Sequence, residues 1–113
     1  MTAQSLKLEG RVAIVTGAAR GIGQSIVQKL ANEGARVIAN DLDVAPLGES
    51  VDKLTRHGLT VHPLAGDITE QVTCESLVST ALELHGDLHI VVNNAGYIWN
   101  SAAVKHTDEQ WQA

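Results

Sequence analysis

The 113-residue sequence is short of several things, and each shortage narrows what it encodes. Its one cysteine, Cys74, cannot close a disulfide within the chain. That suits a reducing compartment, and the cytoplasm is the expected one. Lys and Arg number eight against thirteen Asp and Glu, giving a net charge of −5. The basic residues, among them Arg11, Lys29, Arg36, Lys53 and Arg56, are scattered. A nucleic-acid partner, which would call for a clustered basic patch, is not expected. No apolar run approaches membrane-spanning length, and Met1–Gly10 carries no apolar stretch like that of a signal peptide, so no membrane partner is expected either. Linkers, repeats and low-complexity segments are lacking too. What remains is 44% apolar and 19% charged, a globular composition with length for one small domain.

Strand-like and helix-like segments alternate along it. After a loose lead-in over residues 1–9, the continuous apolar run Val12–Val15, in a strand from about Arg11 to Thr16, reads as buried on both faces. Ile22, Ile26, Val27 and Leu30 then fall on one face of a helix over Gly21–Asn32, with Gly34 as its stop. Arg36–Asp41 is a second strand, and Val44–His57 a second helix with Leu47, Val51 and Leu54 at helical spacing. Thr60–Leu64 is a short third strand whose Pro63 requires an edge position. A helix from Thr69 to Gly86 carries the apolar stripe Leu77, Val78, Ala81 and Leu82, and Leu88–Asn93 is the fourth strand. Thr107 with Gln110 forms a capping box, so another helix is expected to start there. This is an α/β pattern of parallel strands joined by helical crossovers. It reads as the first half of a doubly wound parallel sheet, truncated after the fourth strand, with an apolar fourth strand at its edge.

The stretch Val12–Gly23 carries the clearest chemistry. A strand, three glycines at 17, 21 and 23, and a helix start make a phosphate site, because turn backbone and helix dipole both favour an anion. Gly17 suits a positive φ, Gly21 leaves room for a pyrophosphate, and Gly23 lets the helix pack closely on the strand. Asp41, at the end of the second strand, stands where an acid accepts from the adenosine ribose hydroxyls. A carboxylate there favours NAD over NADP. Arg20 pulls toward NADP, since a guanidinium in the turn could pair with a phosphate. An Asp that merely ends a strand is the bland alternative.

Thr16-Gly-Ala-Ala-Arg-Gly-Ile-Gly23, with Asn93-Asn94-Ala95-Gly96 after the fourth strand, resembles the two cofactor signatures of the short-chain dehydrogenase/reductase family. The resemblance implies a Rossmann-type sheet of which 1–113 is the N-terminal, cofactor-binding half. It implies that Gly17, Ala18, Ala19, Arg20, Gly21, Ile22 and Gly23 hold the pyrophosphate and that Asp41 and Leu42 meet the adenosine ribose. Asp67 and Ile68 would meet the adenine, and Asn94, Ala95 and Gly96 would line the wall beside the cofactor. A turn acid at Asp67 and a backbone staple at Asn94 stay open as alternatives. Asn94–Trp99 with Thr107–Trp111 is similar to members named 3-oxoacyl-acyl-carrier-protein reductases. A small carbonyl, alcohol or acyl substrate and a homo-oligomer are implied for the complete enzyme.

The family's proton-transfer pair, Tyr-x-x-x-Lys, has no counterpart. The single tyrosine, Tyr97, is followed four residues on by Ser101. The resemblance thus implies weak or absent NAD binding and no turnover by this chain alone. His85 and His89 flank Gly86-Asp87, which breaks the helix that would aim both at one metal, so no metal site is expected. Cys74 reads as a packing thiol. Trp99 and Trp111 border a substrate pocket or pack on further chain. Methyltransferases and flavoproteins also use glycine turns, but the Asn-Asn-Ala-Gly stretch disfavours them. The alternative of another class is a non-catalytic nucleotide-binding or interaction module completed by a partner chain at the Ile90–Val92 edge.

Overall fold

The computed structural model describes residues 6–95. Within them the order is β1 (Val12–Val15), α1 (Gly21–Asn32), β2 (Arg36–Asp41), α2 (Val44–Arg56), β3 (Val61–Ala65), α3 (Gln71–His85) and β4 (Ile90–Val92). The strands are all parallel in the order β3-β2-β1-β4, with Val12 opposite Arg36, Ala13 opposite Ile90 and Val37 opposite Val61. This is the expected Rossmann-like α/β sheet. The chain leaves β1 toward β2 and returns to β4 on β1's other side. A crevice at the carboxyl ends of β1 and β4 is the usual ligand position in such a sheet. The expected helix start at Thr107, and Tyr97, Trp99 and Trp111, lie outside the described residues.

Alternation along the strands builds two cores. Ala13, Val15, Val37 and Ala39 face α1 and α2, packing with Val27, Ala31, Leu47, Val51 and Leu54. Val12, Ile14 and Ile38 point the other way, onto Ile68 and the Leu77 and Ala81 side chains of α3. Pro63 sits in β3, an edge strand of this sheet, where a missing N–H leaves no interior ladder broken. Pro46 falls in the first turn of α2, where its N–H would lack an intrahelical partner anyway.

Several expectations needed correction. The buried line of α1 is Gly23, Val27 and Ala31, and Ile22 is 74% exposed, with Ile26 and Leu30 on the flank. On α3 the buried line is Thr73, Leu77 and Ala81, whereas Val78 and Leu82 are exposed. In both helices the buried line runs i, i+4, i+8 with one larger residue, Val27 or Leu77, between small ones, and the large apolar residues beside it lie toward the rim. Helix α3 starts at Gln71 rather than Thr69, because Thr69 gives both its N–H (2.9 Å) and its hydroxyl (2.7 Å) to Asp67 Oδ1. Strand β4 is shorter than expected and not buried on both faces; α3 packs over β1 and β2, leaving Val91 49% exposed. The expected loose lead-in is tied down at Leu8, whose N–H donates to the Glu33 carbonyl at 2.7 Å and whose side chain packs on the core.

Candidate functional site

The glycine turn is held from below by β2. Gly17 and Gly21 both have φ +63°, and between them the Ala18 N–H donates to the Asn40 carbonyl at 2.8 Å. The next amide, Ala19 N–H, donates to Asp41 Oδ2 at 3.0 Å. Ala18 and Ala19 bury their methyl groups in the core and give their N–H groups to β2, so they shape the turn rather than donate to a ligand. Arg20 occupies the N-cap of α1 in an extended conformation and caps nothing, and the first turn of α1 contains no acid. The helix start therefore presents unmatched positive character. A Cβ at Gly21 would meet nothing within 4 Å, so this glycine is there for its backbone conformation and the open space above it. At Gly23 a Cβ would overlap the Gly17 carbonyl oxygen and lie 2.6 Å from Asn94 Nδ2. The close approach there is of α1 to the turn itself.

Thr16 joins this turn to the end of β4. Its buried hydroxyl accepts the N–H groups of Asn94 and Ala95, each at 3.1 Å, and reaches the Val92 carbonyl at 3.4 Å. Asn94 Nδ2 donates to the Gly17 carbonyl at 3.1 Å. Asn94 is thus the backbone staple that its bland alternative described, and the staple fixes the wall of the crevice. Gly96 lies outside the described residues.

Between these elements opens a cleft of about 280 Å³ lined by Gly17, Asp41, Leu42, Asp67, Ile68 and Ala95, together with Asn40, Gly66 and Thr69. The structure thus brings the glycine turn, the β2 acid, the acid after β3 and the β4 motif to one cavity. Of the turn only Gly17 lines it; Gly21 and Ile22 line a separate groove with Ile26 and Leu30 on the outer flank of α1. Asp41 spends one lone pair of Oδ2 on Ala19 and one of Oδ1 on the Asp43 N–H at 3.0 Å. A carboxylate has about four such acceptor sites, so each oxygen can still accept a ribose hydroxyl. Asp67 serves as the turn acid of its alternative reading, with Thr69's hydroxyl and N–H holding its carboxyl below the usual carboxylate range. The Arg20 guanidinium is exposed but engaged. Its Nη2 is paired with Asp43 Oδ2 at 2.7 Å.

Sequence reasoning missed Asn40, Thr16 as a hub, Gly66 and Asp43. Asn40 was detectable as a polar residue inside an apolar strand; it is fully buried, and its Nδ2 donates to the carbonyls of Leu64 (2.9 Å) and Gly66 (3.2 Å), locking β2 to the turn after β3. Nothing in the sequence marks Asp43 beyond its place two residues past Asp41. Among the described residues no cluster of three His, Cys, Asp or Glu side chains could hold a metal. His89 is engaged instead, its Nδ1 accepting the Val12 N–H at 2.9 Å and its Nε2 lying 3.2 Å from Asp87 Oδ2. Cys74 lies against the Ile68 carbonyl, and burial and Glu75 push its thiol pKa up, as suits a packing residue. No helix among the described residues is long and apolar enough to cross a membrane.

Comparison with known proteins agrees with this geometry. The family model for short chain dehydrogenases matches residues 11–113. A hydroxyacyl-CoA dehydrogenase of Mycobacterium tuberculosis is 37% identical over 99% of this chain and 37% of its own length. A 3-oxoacyl-acyl-carrier-protein reductase of Thermotoga maritima is 32% identical over 96% of this chain and 44% of its own. A short chain dehydrogenase/reductase of Burkholderia phymatum, solved in complex with NAD, superposes with a TM-score of 0.73 at 30% identity, covering 75% of this chain and 30% of that one. The chain thus spans less than half the length of the curated relatives it matches. With its glycine turn, β2 acid and β4 motif converging on one cleft, it belongs to the short-chain dehydrogenase/reductase family.

Proposed function

We propose that this chain is the dinucleotide-holding half of an oxidoreductase that moves hydride between a nicotinamide and a carbonyl or alcohol carbon, with NAD preferred over NADP. The observation that carries the reading is the uncapped, acid-free start of α1 beneath an open Gly21, beside an acid that retains free lone pairs. Gly17–Gly23 would hold the pyrophosphate, chiefly through the N–H groups at the start of α1, since those of Ala18 and Ala19 are donated to β2, and Asp41 would accept from the adenosine ribose with Leu42 against it. Asp67 and Ile68 would border the adenine, and Asn94, Ala95 and Gly96 the nicotinamide side. A bound dinucleotide would supply the hydride; this chain's residues bind and orient. The proton-transfer pair is absent from the sequence, so turnover by the chain alone is not expected. Likeness to a hydroxyacyl-CoA dehydrogenase and a 3-oxoacyl-acyl-carrier-protein reductase supports a hydroxyacyl or oxoacyl thioester as the substrate class of the complete enzyme. We place that enzyme in the cytoplasm as a homo-oligomer.

Isothermal titration of the purified chain with NADH and NADPH is the test, with NADH binding weakly and NADPH more weakly still. NADPH binding with NADH excluded would reverse the cofactor preference. Carbonyl reduction by the chain alone would overturn the catalytic argument. A second reading, an interaction module completed by a partner, draws on the exposed Ile22 and Val91. Size-exclusion chromatography separates the two, since a well-behaved monomer speaks against an edge that needs a partner.

A further inference from the structure

We propose that Asp43 sets the preference between NAD and NADP by holding the Arg20 guanidinium away from the 2′ position of the adenosine ribose; this rests on the cofactor reading above. Two adjacent residues of the turn face the β2–α2 corner across a two-point clamp. Ala19 N–H is held by Asp41 Oδ2 at 3.0 Å, and Arg20 Nη2 by Asp43 Oδ2 at 2.7 Å. The corner itself is closed by Asp41 Oδ1 accepting the Asp43 N–H at 3.0 Å. Asp43 occupies the N-cap of α2, where an Asp ordinarily caps the helix with its own carboxylate. Here it makes no side-chain cap bond, and its carboxylate goes to Arg20 instead.

A guanidinium is the side chain best shaped to clamp a phosphate. With Arg20 engaged, a 2′-phosphate, carrying about −1.5 to −2 charge, would meet the Asp41 carboxylate and a guanidinium already paired with Asp43. A 2′-hydroxyl brings no charge and can donate to Asp41. Both partners of the pair are more than half exposed, at 66% and 55%, so the bias is several-fold rather than absolute. Asp43 is accordingly a positioning residue, acting through Arg20.

The experiment is an amide-resolved NMR titration of the full chain with NAD and with NADP, followed at Ala19, Arg20 and Gly21, for wild type, Asp43→Asn, Arg20→Ala and the double variant. Asn preserves size, and no helix cap is lost. Asp43→Asn should tighten NADP about threefold to tenfold and leave NAD within about twofold. In the Arg20→Ala background the same change should move NADP by less than about twofold. A merely structural role would move both dinucleotides together. NAD binding with an unmoved ratio in Asp43→Asn, or an equal gain without Arg20, overturns the proposal alone. If neither dinucleotide moves the turn amides, the cofactor reading falls, and this proposal with it.

Discussion

Gly23→Ala and Gly48→Ala add the same methyl group to two helices and should shift stability in opposite directions. At Gly23 the new carbon overlaps the Gly17 carbonyl oxygen and sits 2.7 Å from its carbonyl carbon and 2.6 Å from Asn94 Nδ2. Two of these are backbone atoms, and the third ends a side chain held by its own hydrogen bond. Gly17 is fixed by its positive φ, and its carbonyl oxygen by the 3.1 Å bond from Asn94. Either the turn shifts and that bond breaks, or α1 lifts from β1. Overpacking costs about 1–3 kcal/mol, and a lost hydrogen bond adds about 1 kcal/mol. Alanine's better helix propensity returns about 1 kcal/mol. The net loss is about 1–3 kcal/mol. At Gly48, within α2, a Cβ meets nothing within 4 Å, so only the propensity gain of about 1 kcal/mol remains. For a domain of this size each kcal/mol moves Tm by about 4–8 °C. Thermal and urea unfolding followed by far-UV circular dichroism will read both shifts. A Gly23→Ala chain that unfolds at or above the wild-type midpoint would refute the packing argument.

Thr16→Val keeps shape but removes the acceptor for Asn94 and Ala95, so it should cost about 1–3 kcal/mol, and Thr16→Ser should restore most of that. Urea midpoints decide it; a Val variant as stable as the Ser variant would refute the hub role. His85 has both ring nitrogens buried without a hydrogen-bond partner among the described residues, and burial, then the Arg36 and His62 charges, hold its pKa below 6.5. The unfolded chain therefore binds more protons there, so stability should fall as pH drops from about 6.5 through the folded-state pKa, then level off. His85→Gln should flatten that slope, and parallel pH profiles for the two proteins would count against it.

The order of elements and the parallel sheet were legible because apolar strands, glycine stops and helical spacing all pointed the same way. Pro63 even announced an edge. Which face of each helix lies on the sheet was not legible. Periodicity weights large residues, so it selected Ile22, Ile26 and Leu30, whereas the line that touches the strands is Gly23, Val27 and Ala31. The same bias picked Val78 and Leu82 over Thr73. In the site, Asp41 and the glycines could be named because their spacing follows from the turn, and Asp67 and Asn94 because the sequence resembles the family's motifs. What they bond to could not, because those partners come from other strands. Asn40 and Asp43 show the gap best. Asn40 stands out only as a polar residue in an apolar strand and Asp43 not at all, and each acquires its role only when β2 is set beside β3 and the turn.

Thr16, Asn40, Asp41 and Asn94 together pin the carboxyl rim of the sheet. The entropy of ordering that rim is lost when the chain folds, not when a nucleotide arrives. Association should then run without a slow isomerisation step, and its heat capacity change should match the apolar area covered by the ligand, with no added contribution from loop folding.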